Sequence, residues 1–360
     1  MKKILAIAQD ANPSQGFTAL SDFIQTKWSS QTMQLMLGKG KEFPCTNKQI
    51  QEAISDNDIL LLGMSSSSRL SAPELFAGHE AVRLRKPVAL FGDCDGCFNR
   101  EWFLPLAHSV SLYFGVSPKD AERAKKVFPN ATCYGYGNPN DEQMVFSRYS
   151  REKIREKLGV SSSESLVLAS GSKTVSENCL MWAVLIDTLS VLAKQGKKVK
   201  LFLAIHPGDR SFGASDRTKE AGLLLYEELV DRAPFPVVIL TKDICSSSDA
   251  VVGADLVVSF GGSIARESAF KQIPVVGFGF ETAYQRMLKE TGNRIPEMIT
   301  FGIAKLVTGS RAKRAGLINQ LLTSDNPLRV QLLKNQKRIC VPPPHQGYAV
   351  EMIYEALTGL

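Results

Sequence analysis

Short apolar segments alternate with longer amphipathic segments along most of the chain. The apolar segments are rich in leucine and β-branched residues, which predicts buried strands, and the amphipathic segments predict helices. The predicted strands of the first part of the chain are Lys3–Ala8, Met33–Leu37, Asp58–Leu62, Pro87–Phe91, Val110–Val116 and Ala131–Tyr136. Strands that alternate with helices in this way predict a parallel sheet covered on both faces.

The alternation stops once and then starts again. A charged predicted helix over 148–158 is followed by Gly159 and a serine run, a composition typical of a domain junction. The strands predicted after it are Leu166–Ala169, Lys200–Ile205, Val237–Thr241, Leu256–Ser259 and Pro274–Phe278, before a mostly helical end. We therefore predict an α/β protein of two Rossmann-like, doubly wound domains facing a cleft. The first covers 1–146 and the second 164–344, and a C-terminal helix within 345–360 is predicted to pack back on the first.

Composition and charge narrow the class of protein. Hydrophobic residues make up 44% and charged residues 22%, which excludes wholesale disorder. The apolar stretch at the N-terminus is too short for a signal peptide, so we predict a cytoplasmic protein, with peripheral membrane contact left open. The net charge of +7 permits contact with phosphate or anionic lipid. No pattern of alternating basic and aromatic residues points to nucleic acid.

The cysteines give no clear function at this stage. Seven cysteines are scattered along the chain, and Cys94-Asp95-Gly96-Cys97 has the C-x-x-C spacing. A structural zinc site needs four ligands, and the sequence has no second pair. A redox pair would need a thioredoxin-like context, which is missing. We therefore predict neither a metal site nor a redox site.

The strongest candidate for ligand binding is a glycine pair in the second predicted domain. Ligands of doubly wound sheets bind beyond the carboxyl ends of the strands, and Gly261 and Gly262 follow such a strand. Their backbone N–H groups can approach a ligand closely, and a helix that begins near Ser263 offers a diphosphate its positive end. Arg266 can add charge or brace the loop, and Glu267 can accept hydrogen bonds from ribose hydroxyls. The alternative is a tight strand–helix turn with Glu267 as a partner of the helix dipole.

Three other strand ends of this domain add candidates. Gly171, Ser172 and Lys173 can help to hold a pyrophosphate, although the Walker spacing is absent and excludes a P-loop NTPase. The same residues also suit a helix N-cap. His206 can donate to a phosphate or act as an acid or base, or it is simply part of a Pro-Gly turn. The backbone around Thr241 can pair with the edge of a nucleobase.

The first predicted domain carries carboxylates at its strand ends. Asp10, Asp93 and Asp95 lie where a general base for an acceptor hydroxyl would stand. The alternative is that they are ordinary turn residues.

These pieces, in this order, resemble the GT-B superfamily of nucleotide-sugar enzymes, which includes glycosyltransferases and the non-hydrolysing UDP-N-acetylglucosamine 2-epimerases. The Gly-Gly-Ser segment with Arg-Glu-Ser-Ala after it is similar to a donor-binding segment, and His206-Pro207 falls where the epimerases keep a functional histidine. The remaining stretches that carry the resemblance are Asn99-Arg100, 114–118, 135–139, 151–159, 167–172, 253–259 and 274–276.

The resemblance implies a GT-B fold and a nucleotide-sugar ligand, with UDP as the expected nucleotide and no metal. We expect a glycosyltransferase that moves a sugar from a UDP-sugar to an unknown glycan, lipid or small-molecule acceptor. A homodimer is compatible with the sequence, which leaves the oligomeric state open. Transfer is favoured because the chain departs from the epimerase pattern. Gly63-Met64-Ser65-Ser66 replaces a Gly-Asp-Thr loop, Gly92-Asp93-Cys94 replaces Glu-Ala-Gly, and 281–285 replaces T-x-R-P-E.

Two alternatives remain. The first is a 2-epimerase-like enzyme in which His206 and Asp93 serve as acid and base. The second is a non-catalytic nucleotide-sugar-binding protein, which keeps the pocket and has lost the chemistry.

Overall fold

A computed structural model describes residues 2–28, 33–40, 42–146, 149–172, 174–206, 209, 216–241 and 243–360. The chain divides into two compact units. Unit 1 comprises Met1–Gln143, Leu288–Asn293 and Pro343–Leu360, and unit 2 comprises Met144–Met287 and Arg294–Pro342. Each unit holds a parallel sheet of six strands. The alternation of strands and helices predicts the parallel arrangement, but only five of the strands of unit 2.

Unit 1 is built on a sheet with the strand order β2-β1-β3-β4-β5-β6. Its strands are β1 (Ile4–Ala8), β2 (Met33–Leu37), β3 (Ile59–Gly63), β4 (Val88–Phe91), β5 (Val110–Phe114) and β6 (Thr132–Tyr134). Its helices are α1 (Ala11–Lys27), α2 (Asn47–Asp56), α3 (Ala72–Arg83), α4 (Pro118–Ala124) and α5 (Pro139–Val145), with 3-10 turns at Cys97–Asn99 and Glu101–Leu106. Strand β2 pairs with one edge of β1, and β3 pairs with the opposite edge of β1. The carboxyl ends of β1 and β3 are therefore the topological switch point.

Helices cover both faces of this sheet. On one face, α2 and α3 contribute Ile50, Ile54 and Ala77 to a buried apolar cluster. On the other face, Phe17 and Leu20 of α1 pack in a second cluster with residues of the last helix, Tyr348–Thr358. The sheet residues of β1 and β3 are wholly buried, which explains why these strands read as unbroken apolar runs in the sequence.

Unit 2 has the strand order β12-β11-β10-β7-β8-β9. Its strands are β7 (Ser165–Ser170), β8 (Val199–Ala204), β9 (Val237–Leu240), β10 (Leu256–Val258), β11 (Val275–Phe278) and β12 (Lys305–Val307). Counted from β7, this is the Rossmann order 3-2-1-4-5-6 read from the opposite edge, so the switch point lies between β7 and β10. The region after β11 is predicted to be mostly helical, and it also contains β12, which has only three residues and a weak apolar signal.

The helices of unit 2 are α6 (Arg151–Lys157), α7 (Val175–Lys194), α8 (Asp216–Asp231), α9 (Ser247–Gly253), α10 (Ser263–Phe270), α11 (Glu281–Thr291), α12 (Glu297–Thr300), α13 (Arg311–Leu322) and α14 (Pro327–Ile339). The last residues of α11 belong to unit 1, and the C-terminal helix Tyr348–Thr358 is α15.

Within the described residues, α7 is long and apolar enough to cross a membrane by length and composition, but 56% of its most apolar window is buried inside the protein. Trp182, Leu185 and Leu189 of this helix lie in the core of unit 2.

The charged segment that predicts a domain junction folds onto unit 2 as α6. Arg155 is 9% exposed, and its guanidinium donates to Asp255 Oδ2 at 3.0 Å and to the Gly253 carbonyl at 3.1 Å. Arg151 donates to the other carboxylate oxygen of Asp255 at 2.5 Å. The same Asp255 accepts from the backbone N–H of Leu166 at 2.7 Å, which ties α6 to the start of β7. Both arginines thus have structural partners in unit 2, and Arg155 is also buried.

Candidate functional site

The glycine pair of unit 2 forms the turn between β10 and α10. Gly261 and Gly262 have φ of 91° and 90°, a conformation that favours glycine, and the Ser259 hydroxyl donates to the Gly261 carbonyl at 2.6 Å. Gly262 is the N-cap residue of α10, and no side chain caps this helix. The first backbone N–H groups of a helix have no partner within it, so the exposed turn at Gly262 and Ser263 presents them with the positive end of the helix dipole.

The loop after β7 is fixed by a buried polar network that the sequence analysis missed. The Asn178 side chain accepts from the Ser172 N–H at 2.5 Å and donates to the Ser172 carbonyl at 3.1 Å. Asn178 also donates to Asp209 Oδ2 at 3.0 Å, and the Tyr226 hydroxyl donates to the same oxygen at 2.8 Å. Burial raises the pKa of Tyr226 far above its usual range, so this hydroxyl keeps its proton. A side chain at Gly171 would meet Asn178 at 3.1 Å, which explains the glycine there.

The loop after β10 is braced by an ion pair from two helices. Arg286 of α11 donates to both carboxylate oxygens of Glu177, at 3.2 Å and 3.0 Å, and to the Phe260 carbonyl at 3.3 Å. Glu177 lies in the first turn of α7, directly after the β7 loop. Because β7 and β10 are neighbours in the sheet, one ion pair supports both loops of the switch point.

The remaining predicted residues of unit 2 differ in their surroundings. His206 is half-buried and follows β8, which is the neighbour of β7, and its carbonyl accepts from the Asp209 N–H at 2.9 Å. Thr241 is exposed, and its carbonyl accepts from the N–H groups of Ile244 and Cys245 at 3.1 Å and 3.0 Å. That carbonyl is therefore already part of a turn. Lys173 lies outside the described residues.

Arg266 and Glu267 are buried in the first turns of α10, with 7% and 6% exposure. The Ser248 hydroxyl donates to Glu267 Oε2 at 3.5 Å. Both charged side chains are therefore largely shielded from solvent, within the first two turns of the helix that follows the glycine turn.

The switch point of unit 1 is closed by side chains. The Asp10 N–H donates to Ser65 Oγ at 3.0 Å, and Asp10 Oδ2 accepts from the Ser66 N–H at 2.7 Å. Glu74 of α3 is fully buried below and accepts from the Gln9 N–H at 3.0 Å, the Ser65 N–H at 3.3 Å and Ser65 Oγ at 2.7 Å. Burial raises the pKa of Glu74 to about 8, and the nearby charge of Asp10 adds to the effect. Glu74 is not among the site residues predicted from the sequence.

Asp93 lies at the end of β4 among four partners. Its Oδ1 faces Arg100 Nη1 at 3.4 Å and accepts from the Cys97 thiol at 3.2 Å, and its Oδ2 accepts from Asn12 at 3.0 Å. Its carbonyl accepts from Asn138 at 3.2 Å. Asp95, two residues on, is half-buried. The structure therefore brings Asp93 to the loops after β1 and β6, and Asp10 to the loop after β3.

Comparison with solved structures identifies the fold. The UDP-N-acetylglucosamine 2-epimerase of Neisseria meningitidis, bound to UDP-N-acetylglucosamine, matches with a TM-score of 0.66, 13% identity and coverage of 99% of this chain and 100% of that chain. The epimerase of Methanocaldococcus jannaschii, in complex with UDP-N-acetylglucosamine and UDP, matches with 0.61, 13%, and 100% of both chains. Anabaena Alr3699/HepE in complex with UDP matches with 0.58, 17%, and coverage of 99% and 100%. No protein-family model and no curated protein matches the chain.

The comparison corrects the predicted reaction. The sequence analysis favours a glycosyltransferase, because three segments depart from the epimerase pattern. That prediction is wrong by this comparison, since the structural neighbours include UDP-N-acetylglucosamine 2-epimerases and support the epimerase alternative instead. Loop sequences vary more readily than the arrangement of the strands. The three loop segments that differ from the epimerase pattern are therefore weaker evidence about the reaction than the shared fold. The chain has the GT-B fold of two Rossmann-like domains that the UDP-N-acetylglucosamine 2-epimerases have.

Proposed function

We propose that this protein is an enzyme of the 2-epimerase type, which inverts carbon 2 of the sugar in a UDP-linked N-acetylhexosamine. The observation that carries the proposal is the switch point of unit 2. There, side-chain contacts hold the loops after β7 and β10, and α10 begins at an exposed glycine without a side-chain cap. Proteins with a similar fold were crystallised with UDP or UDP-N-acetylglucosamine. Fold alone does not determine a reaction, so the proposal is tested below on the site itself.

The nucleotide diphosphate would lie against the N–H groups of the glycine turn. Gly261, Gly262 and Ser263 would supply the first of these groups, and the helix dipole would favour the negative charge. Glu267 would accept from ribose hydroxyls, with Arg266 beside it. We propose that no metal is required, because backbone dipoles and basic side chains can stabilise a diphosphate.

On the other loops, Gly171, Ser172 and Lys173 would contact the pyrophosphate, and the backbone at Thr241 would face the base. The carbonyl of Thr241 already accepts two hydrogen bonds, so any contact with the base would use the other groups of that loop.

Inversion of carbon 2 requires the removal of its proton from one face and the delivery of a proton to the other. A base and an acid are therefore needed. We propose His206 and Asp93 for these roles, because each has a titratable side chain two residues after the end of its strand, β8 and β4 respectively. Asp10 and Asp95, predicted as bases for an acceptor hydroxyl, have no part in a reaction without an acceptor.

The test is exchange of the carbon-2 hydrogen with solvent. UDP-N-acetylglucosamine is incubated with the protein in D2O without any acceptor, and the loss of the carbon-2 proton signal is followed by NMR. We expect exchange, and we expect His206→Asn to slow it by about 100-fold. His79→Gln is the matched control, since His79 is an exposed histidine of α3 and its replacement leaves exchange unchanged.

A thermal-shift measurement with UDP separates the two parts of the proposal. A ligand that binds the native state raises the melting temperature. A shift with UDP but no exchange would replace the epimerase with the non-catalytic nucleotide-sugar-binding protein. No shift with UDP or UDP-N-acetylglucosamine would reject the nucleotide site as well.

A further inference from the structure

Cys94 and Cys97 occupy the two ends of a tight turn after β4. The turn is closed by the Cys97 N–H, which donates to the Cys94 carbonyl at 3.3 Å. Gly96 has φ of 81° and ψ of 9°, the values of the third position of a type II turn, where glycine is favoured. The Gly96 N–H donates to Asp120 Oδ1 at 2.8 Å, which fixes the turn on α4. As a result, the two sulfur atoms lie 3.0 Å apart in the reduced protein.

A buried arginine faces this pair of sulfurs. Arg100 is 4% exposed, and its Nη2 donates to Cys94 Sγ at 3.4 Å while its Nη1 donates to Asp93 Oδ1 at 3.4 Å. Its Nε has no hydrogen-bond partner in the described part of the chain. The contact to the Asp93 oxygen is long for a charge-assisted hydrogen bond, whereas 3.4 Å is an ordinary distance for an acceptor sulfur. The sulfur of Cys94 therefore lies within hydrogen-bond distance of a buried guanidinium.

The same arginine argues against a metal ion. Asp93, Cys94 and Cys97 lie close enough together to hold one. A divalent cation there would lie beside the buried guanidinium, and the repulsion between two unscreened positive charges is costly. A structural zinc site also needs a fourth ligand. The cluster is thus better suited to sulfur chemistry than to metal binding.

We propose that Cys94 and Cys97 form a thiol–disulfide exchange site whose substrates are small-molecule disulfides. The two cysteines have different exposure, because Cys94 is half-buried and Cys97 is fully buried. Burial raises the pKa of Cys97 well above its usual range, so Cys97 enters the reaction as a thiol and Cys94 is the first nucleophile. This inference does not depend on the proposed epimerase function.

The exchange proceeds in two steps. Cys94 loses its proton to water and attacks one sulfur of the disulfide RS–SR, which forms a Cys94–S–S–R bond and releases RS⁻. Cys97 then passes its proton to Asp93 Oδ1, 3.2 Å from its sulfur, and attacks Cys94 Sγ to release the second RS⁻. Asp93 and water return the two protons, so RS–SR is reduced to two RSH while the cysteine pair is oxidised to a disulfide.

Oxidation would also change the surroundings of Asp93. In the reduced protein, its Oδ1 accepts from the Cys97 thiol and faces Arg100. A disulfide removes the thiol donor and leaves Arg100 as the charged neighbour of this carboxylate. The site therefore couples the oxidation state of the pair to a carboxylate at the edge of the sheet.

The experiment uses the full chain, reduced and then incubated with oxidised glutathione. The remaining thiols are alkylated under denaturing conditions, and intact mass with peptide mapping counts and locates the labels. Reduced protein takes seven labels, one per cysteine. We expect two fewer after oxidation, with a Cys94–Cys97 disulfide. Full labelling of the oxidised sample overturns the proposal.

Single variants test the order of the two steps. Cys97→Ser has no second thiol, so we expect it to stop as a stable glutathione adduct on Cys94, whereas Cys94→Ser forms neither adduct nor disulfide. Cys45→Ser is the matched control, since Cys45 is another half-buried cysteine of unit 1, and it should still form the disulfide. An adduct on Cys97 in Cys94→Ser, or an unmodified Cys97→Ser, rejects the assigned roles.

Arg100 is tested as a positioning residue. In the Cys97→Ser background, Arg100→Gln should slow adduct formation about 10-fold near pH 7, and Arg100→Lys, which keeps a positive charge near the sulfur, should restore part of the rate. If Arg100→Gln does not fold, the Cys97→Ser result still decides the proposal. Equimolar Zn²⁺ is the remaining arm, because zinc that is retained through desalting and protects both cysteines from alkylation would identify a metal site and reject the exchange.

Discussion

Each of the two sheets has a topological switch point, and the two switch points differ in their chemistry. In unit 1, the backbone N–H groups of Gln9 and Ser65 donate to the buried carboxyl of Glu74. In unit 2, the corresponding turn ends in Gly262, an exposed N-cap residue at a helix that no side chain caps. At one edge the protein's own carboxyl thus accepts from the loop N–H groups, and at the other edge the glycine turn at the start of α10 is exposed.

This difference separates position from function. The rule that ligands bind beyond the carboxyl ends of the strands identifies both edges equally well. The two edges differ in whether groups of the protein itself already accept hydrogen bonds from the backbone N–H groups there. A buried carboxyl occupies the place of an anion in unit 1, whereas in unit 2 a side-chain network supports the loop from behind and leaves the helix end open. We therefore place the nucleotide diphosphate on unit 2.

The largest expected effect concerns Glu74 and pH. Its pKa in the folded protein is raised to about 8, above the ordinary carboxyl value of 4.5. Folding therefore keeps a proton that the unfolded chain releases, so this group's contribution to stability is fully present below pH 4.5 and is lost as pH rises to about 8. The loss is about 1.4 kcal/mol per pH unit in that window. Glu74→Gln should remove this pH dependence of stability.

Urea unfolding of wild type and Glu74→Gln at pH 5 and pH 9 measures this effect. We expect the free energy of unfolding of Glu74→Gln, relative to that of the wild type, to increase as pH rises. Glu80→Gln is the control, because Glu80 is another glutamate of α3 and its pKa is lowered by a partner. Parallel pH curves for wild type and Glu74→Gln would show that Glu74 ionises normally, and the contrast between the two edges would then lose its chemical basis.

The second prediction disturbs the support of the open edge. Asn178→Ala removes four hydrogen bonds, to both backbone groups of Ser172, to Asp209 and to Tyr226. Buried groups left without partners cost about 1–3 kcal/mol each, so we expect the free energy of unfolding to fall by about 2 kcal/mol or more. We also expect weaker UDP binding, measured by calorimetry. Asn319→Ala, which removes only an exposed contact to Lys197, should change neither quantity.

The sequence predicted the strands well and the buried polar groups poorly. Leu60–Leu62 and Val257–Val258 lie in runs that are apolar on both faces, and such runs identify buried parallel strands without knowledge of their neighbours. The role of Glu74 depends on the pairing of β1 with β3, far apart in the chain. In the sequence it resembles an ordinary acidic residue of a first helical turn. Asn178 depends on the same kind of distant contact, with Tyr226 and Asp209, and so could not be found from local pattern.

The third prediction tests the conformation of the open edge. Gly262→Ala places a methyl group where nothing lies within 4 Å, so any effect comes from the backbone at φ of 90° rather than from a clash. Strain of this kind costs about 1–3 kcal/mol. We expect the turn to relax, the first N–H groups of α10 to change direction, and the affinity for UDP to fall by about 10-fold. Unchanged affinity would show that the diphosphate does not lie on this turn.

The smallest expected effect is that of Gly316→Ala, which is the control for the UDP affinity of Gly262→Ala. Gly316 lies on the exposed face of α13, also with nothing within 4 Å of an added methyl group, and its φ is not in the positive region. Gly316→Ala should therefore raise stability by about 0.5–1 kcal/mol, because alanine restricts the unfolded chain and favours the helix. Its affinity for UDP should equal that of the wild type. Both variants add the same atom in open space, so a loss of affinity in Gly262→Ala alone would come from the positive φ that the open edge requires. A similar loss in both would indicate a general effect on unit 2, and the argument for a diphosphate on the glycine turn would fail.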